Sequence, residues 1–191
     1  MKKTLLSLLL IALAGTAGAQ ARIDIEPLAR TCNGCHGVGG ASVSGPMPSI
    51  GGLPRSYLKR VMKQWKYGER SAITMDRILK GFSDDQIDAL ADYFSRQPWV
   101  PAAQPASAAV LATGKQAAND ICRDCHGITG SDRDNDAPMI HGQWAQYMEL
   151  ELIKYRSGEF KMPHRKMGKA AREIKGGQVA ATAAYYGAQK K

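Results

Sequence analysis

Apolar residues return at helical spacing along most of this 191-residue chain, and no segment alternates apolar and polar positions convincingly enough to read as a strand. Over 56–67, Tyr57, Val61 and Trp65 fall along one face and predict a helix, and 146–155 predicts a second in the same place. Ser83-Asp84-Asp85-Gln86 has the capping-box pattern, so a helix should run from there to about Arg96 with Ile87, Leu90, Ala91 and Phe94 turned inward. A shorter helix is expected over 24–35. A closing one follows Gly176-Gly177, where the two glycines make the start less decisive. The uninterrupted apolar run over 5–13 follows Lys2 and Lys3 and gives way to Ala17-Gly18-Ala19, the layout of a cleaved signal peptide over 1–19. That run is too short for a spanning helix of about 20 residues, and no later segment is long or apolar enough. The expectation is an exported, periplasmic, all-α chain that begins at Gln20 and has no membrane span.

The pattern is also a repeat, and repeats constrain a fold before anything else does. "TCNGCHGVGG" at 31–40 returns as "ICRDCHGITG" at 121–130. At that offset of ninety, Pro48, Ile50 and Gly52 stand over Pro138, Ile140 and Gly142, Tyr57 over Tyr147, and Gly68-Glu69 over Gly158-Glu159. After a two-residue insertion, "MDRILKGFSDDQIDALADYF" from Met75 lies without gaps over "MGKAAREIKGGQVAATAAYY" from Met167. Two tandem copies of one small domain follow, 20–98 and 113–191. Between them 99–112, rich in Pro and Ala and without charge, reads as an extended linker. Each copy has roughly 75 residues, a size at which a core is marginal without a staple.

Charge narrows the partners. Without the first nineteen residues, 24 basic side chains face 17 acidic ones, a net charge of +7. Such a surface can attract nucleic acid, an anionic membrane or an acidic protein; export, and the lack of any nucleic-acid motif, favour the protein.

The four cysteines, Cys32, Cys35, Cys122 and Cys125, all belong to the repeated motif. Two disulfides, a redox pair or a four-thiolate zinc site are the ordinary readings of four cysteines in an exported chain. None gives a reason for His36 and His126 to follow the second cysteine at once. Covalent haem attachment accounts for every residue of the motif: each cysteine forms a thioether with a vinyl group, and the histidine sits beneath the iron. The chain should therefore carry two haem c groups, one per copy, each supplying the apolar body that so small a core lacks.

An iron held by histidine on one side is usually completed by methionine in exported electron carriers, which raises the reduction potential. In the first copy Met75 precedes the last helix; Met62 belongs to a helix face, and Met47 to a Gly/Pro loop. In the second copy Met162, His164 and Met167 crowd together, and the gapless register with Met75 selects Met167 over Met162 and over a bis-histidine site. With both irons six-coordinate, neither has a position for oxygen, peroxide or substrate, and the chain moves electrons without bond chemistry of its own. A peroxidase-like dihaem enzyme would need one open iron. The cations Lys161, Arg165, Lys166, Lys169, Arg172 and Lys175 surround Met167, with Lys59, Arg60, Lys63 and Lys66 as a second basic group. The first group is expected to rim the second haem.

Cys-x-x-Cys-His at the start of a helical domain, a Pro-x-Ile-x-Gly stretch and a Met before a C-terminal helix together resemble class I cytochromes c. The tandem arrangement is similar to dihaem cytochromes of the c-four type. More closely it resembles the cytochrome subunits of flavocytochrome c sulfide dehydrogenases, through "TMDRILKGFSDDQ", "GQWAQYMELELIKYRSGE" and the linker "QPWVPAAQPA". The resemblance implies that the carbonyls of Pro48 and Pro138 accept a hydrogen bond from His36 and His126. It also implies a separate flavoprotein (FAD) subunit that oxidises sulfide, and a soluble acceptor such as a small cytochrome c. The flavin must belong to another chain, because no Gly-rich dinucleotide fingerprint is present here. The other reading the residues leave open is a free-standing dihaem shuttle.

Overall fold

The computed structural model describes residues 24–134 and 136–190; the expected export signal over 1–19 lies outside them. Among the described residues the chain is helical, without strands, and no helix is long and apolar enough to cross a membrane. The first copy holds α1 (Glu26–His36), α2 (Arg55–Lys66), α3 (Met75–Ile78) and α4 (Asp84–Ser95). At the start of α4 the Ser83 hydroxyl accepts from the Gln86 amide at 3.1 Å, and the Gln86 side chain accepts from the Ser83 amide at 2.8 Å. Ile87, Leu90, Ala91 and Phe94 are buried as the spacing requires; Leu90, Ala91 and Phe94 pack with Ala29 of α1, Leu53 and Leu58. A stripe of ion pairs clamps α2 to α4: Lys59 to Asp88 at 2.6 Å, Lys63 to Asp84 at 2.9 Å, and Lys66 also to Asp84. Bonds from Lys66, Lys63 and Tyr67 hold the Asp84 carboxyl well below the usual carboxylate range.

In the second copy α5 (Ala108–Ala117) runs through a wide helical turn, Ala118–Cys122, into α6 (Arg123–His126). α7 (Ala145–Ser157), α8 (Arg165–Glu173) and α9 (Val179–Gly187) complete it. α5 begins inside the stretch expected to be extended. Ser107 caps it at Val110, and the alanines that follow have the highest helix propensity, so only the residues before 108 are extended. α5 crosses α9 closely at Gly114, where a Cβ would stand 2.0 Å from the Ala181 carbonyl oxygen. Any side chain there would push the two helices apart.

The copies are firmly joined. Gln143 and Ser49 exchange two buried hydrogen bonds, Ser49 N to Gln143 Oε1 at 2.9 Å and Gln143 Nε2 to Ser49 O at 2.8 Å. Met139, 4% exposed, belongs to the same apolar cluster as Leu53 of the first copy. In the repeat register Ser49 stands over Met139 and Leu53 over Gln143, so one pair of equivalent positions is polar where the other is apolar. The extended segment is stitched down as well: Trp99 Nε1 donates to the His141 carbonyl at 3.0 Å, and Gln104 bonds Gln143 and Ala145. Arg70, 5% exposed, donates to Glu151 at 2.9 Å and to the Tyr155 hydroxyl at 3.1 Å, its guanidinium lying over the rings of Trp65 and Tyr155. Burial opposes the charge on Arg70, but the tyrosine and Glu151 oxygens more than offset it, and its pKa is raised. Arg70→Met should lower the unfolding free energy of the holoprotein by about 3 kcal/mol, read from guanidinium denaturation midpoints. That is the low end for breaking a buried pair, because Lys154 remains on Glu151. An unchanged midpoint would assign the joint to Ser49, Gln143 and Met139 alone.

Candidate functional site

Each repeated motif sits at the end of a helix. α1 presents Cys32, Cys35 and His36, and the last helical turns before Gly127 present Cys122, Cys125 and His126. A spacing of three puts both cysteines of a pair on one face of the helix. The glycine that follows each histidine has a geometric reason: Gly37 has φ 74° and Gly127 φ 75°, and a Cβ at Gly37 would lie 1.9 Å from the Ala41 oxygen. The chain turns off the helix there and returns to the histidine. His36 Nδ1 is 2.8 Å from the Pro48 carbonyl and His126 Nδ1 is 2.9 Å from that of Pro138. A carbonyl only accepts, so the proton is on Nδ1 and the Nε2 lone pair is left for a metal. Burial lowers the pKa of both rings, against the raising effect of the proline carbonyls, and keeps the imidazoles neutral.

None of the four cysteines is joined to another. Burial pushes the Cys122 thiol up to about 11 and raises Cys32, the opposite of the depressed thiolates that redox pairs and zinc sites use. Among the described residues no three His, Cys, Asp or Glu side chains gather to hold a metal ion, so a four-thiolate zinc site has no geometry here.

Beside His126 opens a cavity of about 590 Å³. Cys122, Cys125 and Pro138 lie on one part of its wall, Met167 on another, and Leu152, Tyr155, Ile174 and Tyr186 give it apolar sides. The first copy also reaches it, through Tyr57, Val61 and Arg70. Arg70 Nε is buried without a hydrogen-bond partner. A flat apolar macrocycle bearing carboxylates fits this set of walls and donors, with thiols at its edge and a neutral imidazole facing its centre.

The distal candidates fall into different places. Met75 opens α3 and is half-buried; Met47 is exposed at the surface, and Met62 packs against the first core cluster. In the second copy Met167 and His164 lie on the cavity wall, and Met162 and Met167 both pack against the cluster of Leu152, Tyr155 and Ile174. His164 has a role that spacing did not indicate: its Nδ1 accepts from the Met167 amide at 3.1 Å and caps α8. His141 is buried beside Trp99 with Nδ1 3.3 Å from the Gly130 carbonyl. The residues that sequence reasoning passed over are Arg70, Glu151, Tyr155 and Gln143.

Two helical halves, each closing around a Cys-x-x-Cys-His motif whose histidine is locked by a proline carbonyl, define a tandem class I cytochrome c. Residues 27–94 match the family described as cytochrome c oxidase, cbb3-type, subunit III. Cytochrome c4 of Azotobacter vinelandii is 32% identical over 176 residues, which cover 83% of this chain and 84% of that one. The cytochrome subunit of sulfide dehydrogenase from Chlorobaculum tepidum is 33% identical over 87 residues, 41% of this chain and 78% of that one. The crystal structure of reduced cytochrome c4 from Pseudomonas stutzeri superposes with a TM-score of 0.76 at 22% identity, covering 86% of this chain and 96% of that one. The chain belongs to the c4-like dihaem class I cytochromes c, carries two covalently bound haem c groups and transfers electrons.

Proposed function

We propose that this chain is the exported, periplasmic electron-transfer subunit that takes electrons from a sulfide-oxidising flavoprotein and passes them to a soluble acceptor. In this reading Cys32 and Cys35 hold the first haem, and Cys122 and Cys125 the second. His36 and Met75 ligate the first iron, and His126 and Met167 the second. The domains divide within the extended residues 98–107. Bound haem supplies one-electron chemistry at its iron; the polypeptide performs no bond chemistry. Its histidines are held in one tautomer by Pro48 and Pro138, its thioether sulfurs raise the potentials, and its apolar walls exclude water.

The observation that supports a permanent partner is a set of exposed apolar side chains in the first copy. Ile73 and Ile78 are 78% and 45% exposed, and Val38 and Val43, shortly after His36, are more than four-fifths exposed. Large apolar side chains on the segments that flank a haem suit a lasting interface better than a passing encounter. The free-standing shuttle is favoured by a different observation, the near full-length likeness to cytochrome c4. Purification of the native protein decides between them. A comigrating flavin with one dihaem chain per flavoprotein is the expected result, and a dihaem chain that elutes alone and without flavin at every ionic strength would falsify the flavoprotein reading.

A further inference from the structure

The two copies are an internal control on their own surfaces: they share a fold and its demands, so an exposed feature confined to one copy, and away from the joint between them, is not required by folding. Counting from the two methionines, 71–85 in the first copy corresponds to 163–177 in the second. The first segment holds Arg77 and Lys80 against Asp76, Asp84 and Asp85, and the second holds five cations against Glu173 alone. Arg165 and Lys166 stand where the first copy has Ile73 and Thr74, and Gly176-Gly177 where it has Asp84-Asp85.

Most of the charge in this segment of the second copy also lacks an ion-pair partner. Arg165, Lys166, Lys169, Arg172 and Lys175 are all exposed. Among the described residues Lys169 meets Glu173 only at 4.0 Å, and none of the other four has a carboxylate within ion-pair distance. The basic group on α2 is the opposite case, since Lys59, Lys63 and Lys66 are each tied to Asp84 or Asp88, and Arg60 reaches Asp136 at 2.9 Å. Position ties the free charge to the site, because Arg165 and Lys166 line the cavity beside Met167.

We infer that the exposed face of α8 is the docking surface for an acidic, soluble electron-transfer protein, and that electrons leave the chain over the second haem. An anionic membrane would also be drawn to such a face. However, α8 reads RKMGKAARE and offers none of the Trp, Phe or Leu side chains by which an amphipathic helix anchors in lipid. A protein carrying carboxylates around its own redox centre meets the cations without needing an apolar anchor, and the long-range field speeds encounter.

The inference adds a direction to the reading above and rests on it only for the side at which electrons enter. Its test uses the full-length dihaem protein and no flavoprotein. In stopped-flow oxidation of the reduced protein by plastocyanin, an acidic copper protein, Lys166→Gln with Lys169→Gln should slow the second-order rate about tenfold near 10 mM salt, at the lower end of the range for electrostatic steering. The difference should vanish by about 0.5 M salt, where the screening length is only a few ångströms. The methionine-to-iron charge-transfer band must be unchanged in the variant; Lys59→Gln serves as the control and should leave the rate within twofold. Equal rates at low salt overturn the inference. So does binding to phosphatidylglycerol vesicles, but not phosphatidylcholine vesicles, at physiological salt if the double substitution abolishes it, because the face would then be a membrane surface. If flavin fails to comigrate while the salt effect stands, the flavoprotein reading falls and the docking surface remains.

Discussion

Replacing Cys122 and Cys125 together with alanine is expected to yield a chain that carries one haem and has no folded second half. The reason is the size of the space that haem fills. Without haem, a cavity of about 590 Å³ beside His126, walled by Leu152, Tyr155, Ile174 and Tyr186, would stand open to water, and so small a core would lose much of the apolar burial that holds it together. Whole domains are stable by only about 5–15 kcal/mol, so the apo half would collapse or unfold. The unmodified protein should keep two haems after denaturation, because thioethers are covalent, and its denatured mass should equal the polypeptide plus two haems. In the double variant the denatured mass should fall by one haem and the helical circular dichroism by about half. A variant that still carries two haems covalently would remove Cys122 and Cys125 from the attachment site. One that retains full helicity with a single haem would show that the cavity argument overstates the cofactor's share of the core.

What was legible in the sequence was local or repeated. The capping box at Ser83 and the buried face of α4 depend on residues a few positions apart, and the haem motif depends on six consecutive residues. The repeat register paired the two prolines whose carbonyls meet His36 and His126. It could not carry the joint between the copies, because that joint is built where the copies differ: Ser49 against Met139, Leu53 against Gln143, and Arg70, whose partners Glu151 and Tyr155 lie more than eighty residues away. An arginine after Gly68-Glu69 gives no sign of burial until the second copy covers it. The basic group on α2 shows another limit. In sequence it is a second basic group like the one around Met167, yet Lys59 and Lys63 on α2 share their helical spacing with Asp84 and Asp88 on α4, and in the fold the two stripes neutralise each other. That complementarity was in the sequence but becomes meaningful only once α2 and α4 are known to be neighbours.

Met167→His should abolish the sulfur-to-iron charge-transfer band of one haem and lower that haem's potential by about 0.2 V, a fraction of the ~0.8 V range over which axial ligands act. Met162 and Met167 pack against the same apolar cluster, but of the two it is Met167 that lines the cavity beside His126; His164 lines it too, with Nδ1 engaged as the cap of α8. Met162 packs against Leu152, Tyr155 and Ile174, where a methionine fills an irregular apolar gap, so Met162→Leu should keep the band and cost under about 1.5 kcal/mol. His164 Nδ1 accepts from the Met167 amide, and His164→Ala should cost about 1 kcal/mol, the usual worth of a helix cap, again with the band intact. The three substitutions separate the roles because only a ligand change moves both a spectrum and a potential, whereas a packing or capping change moves stability alone. Loss of the band in Met162→Leu, with the band retained in Met167→His, would transfer the ligand to Met162 and show that the register linking Met167 to Met75 does not extend to the iron.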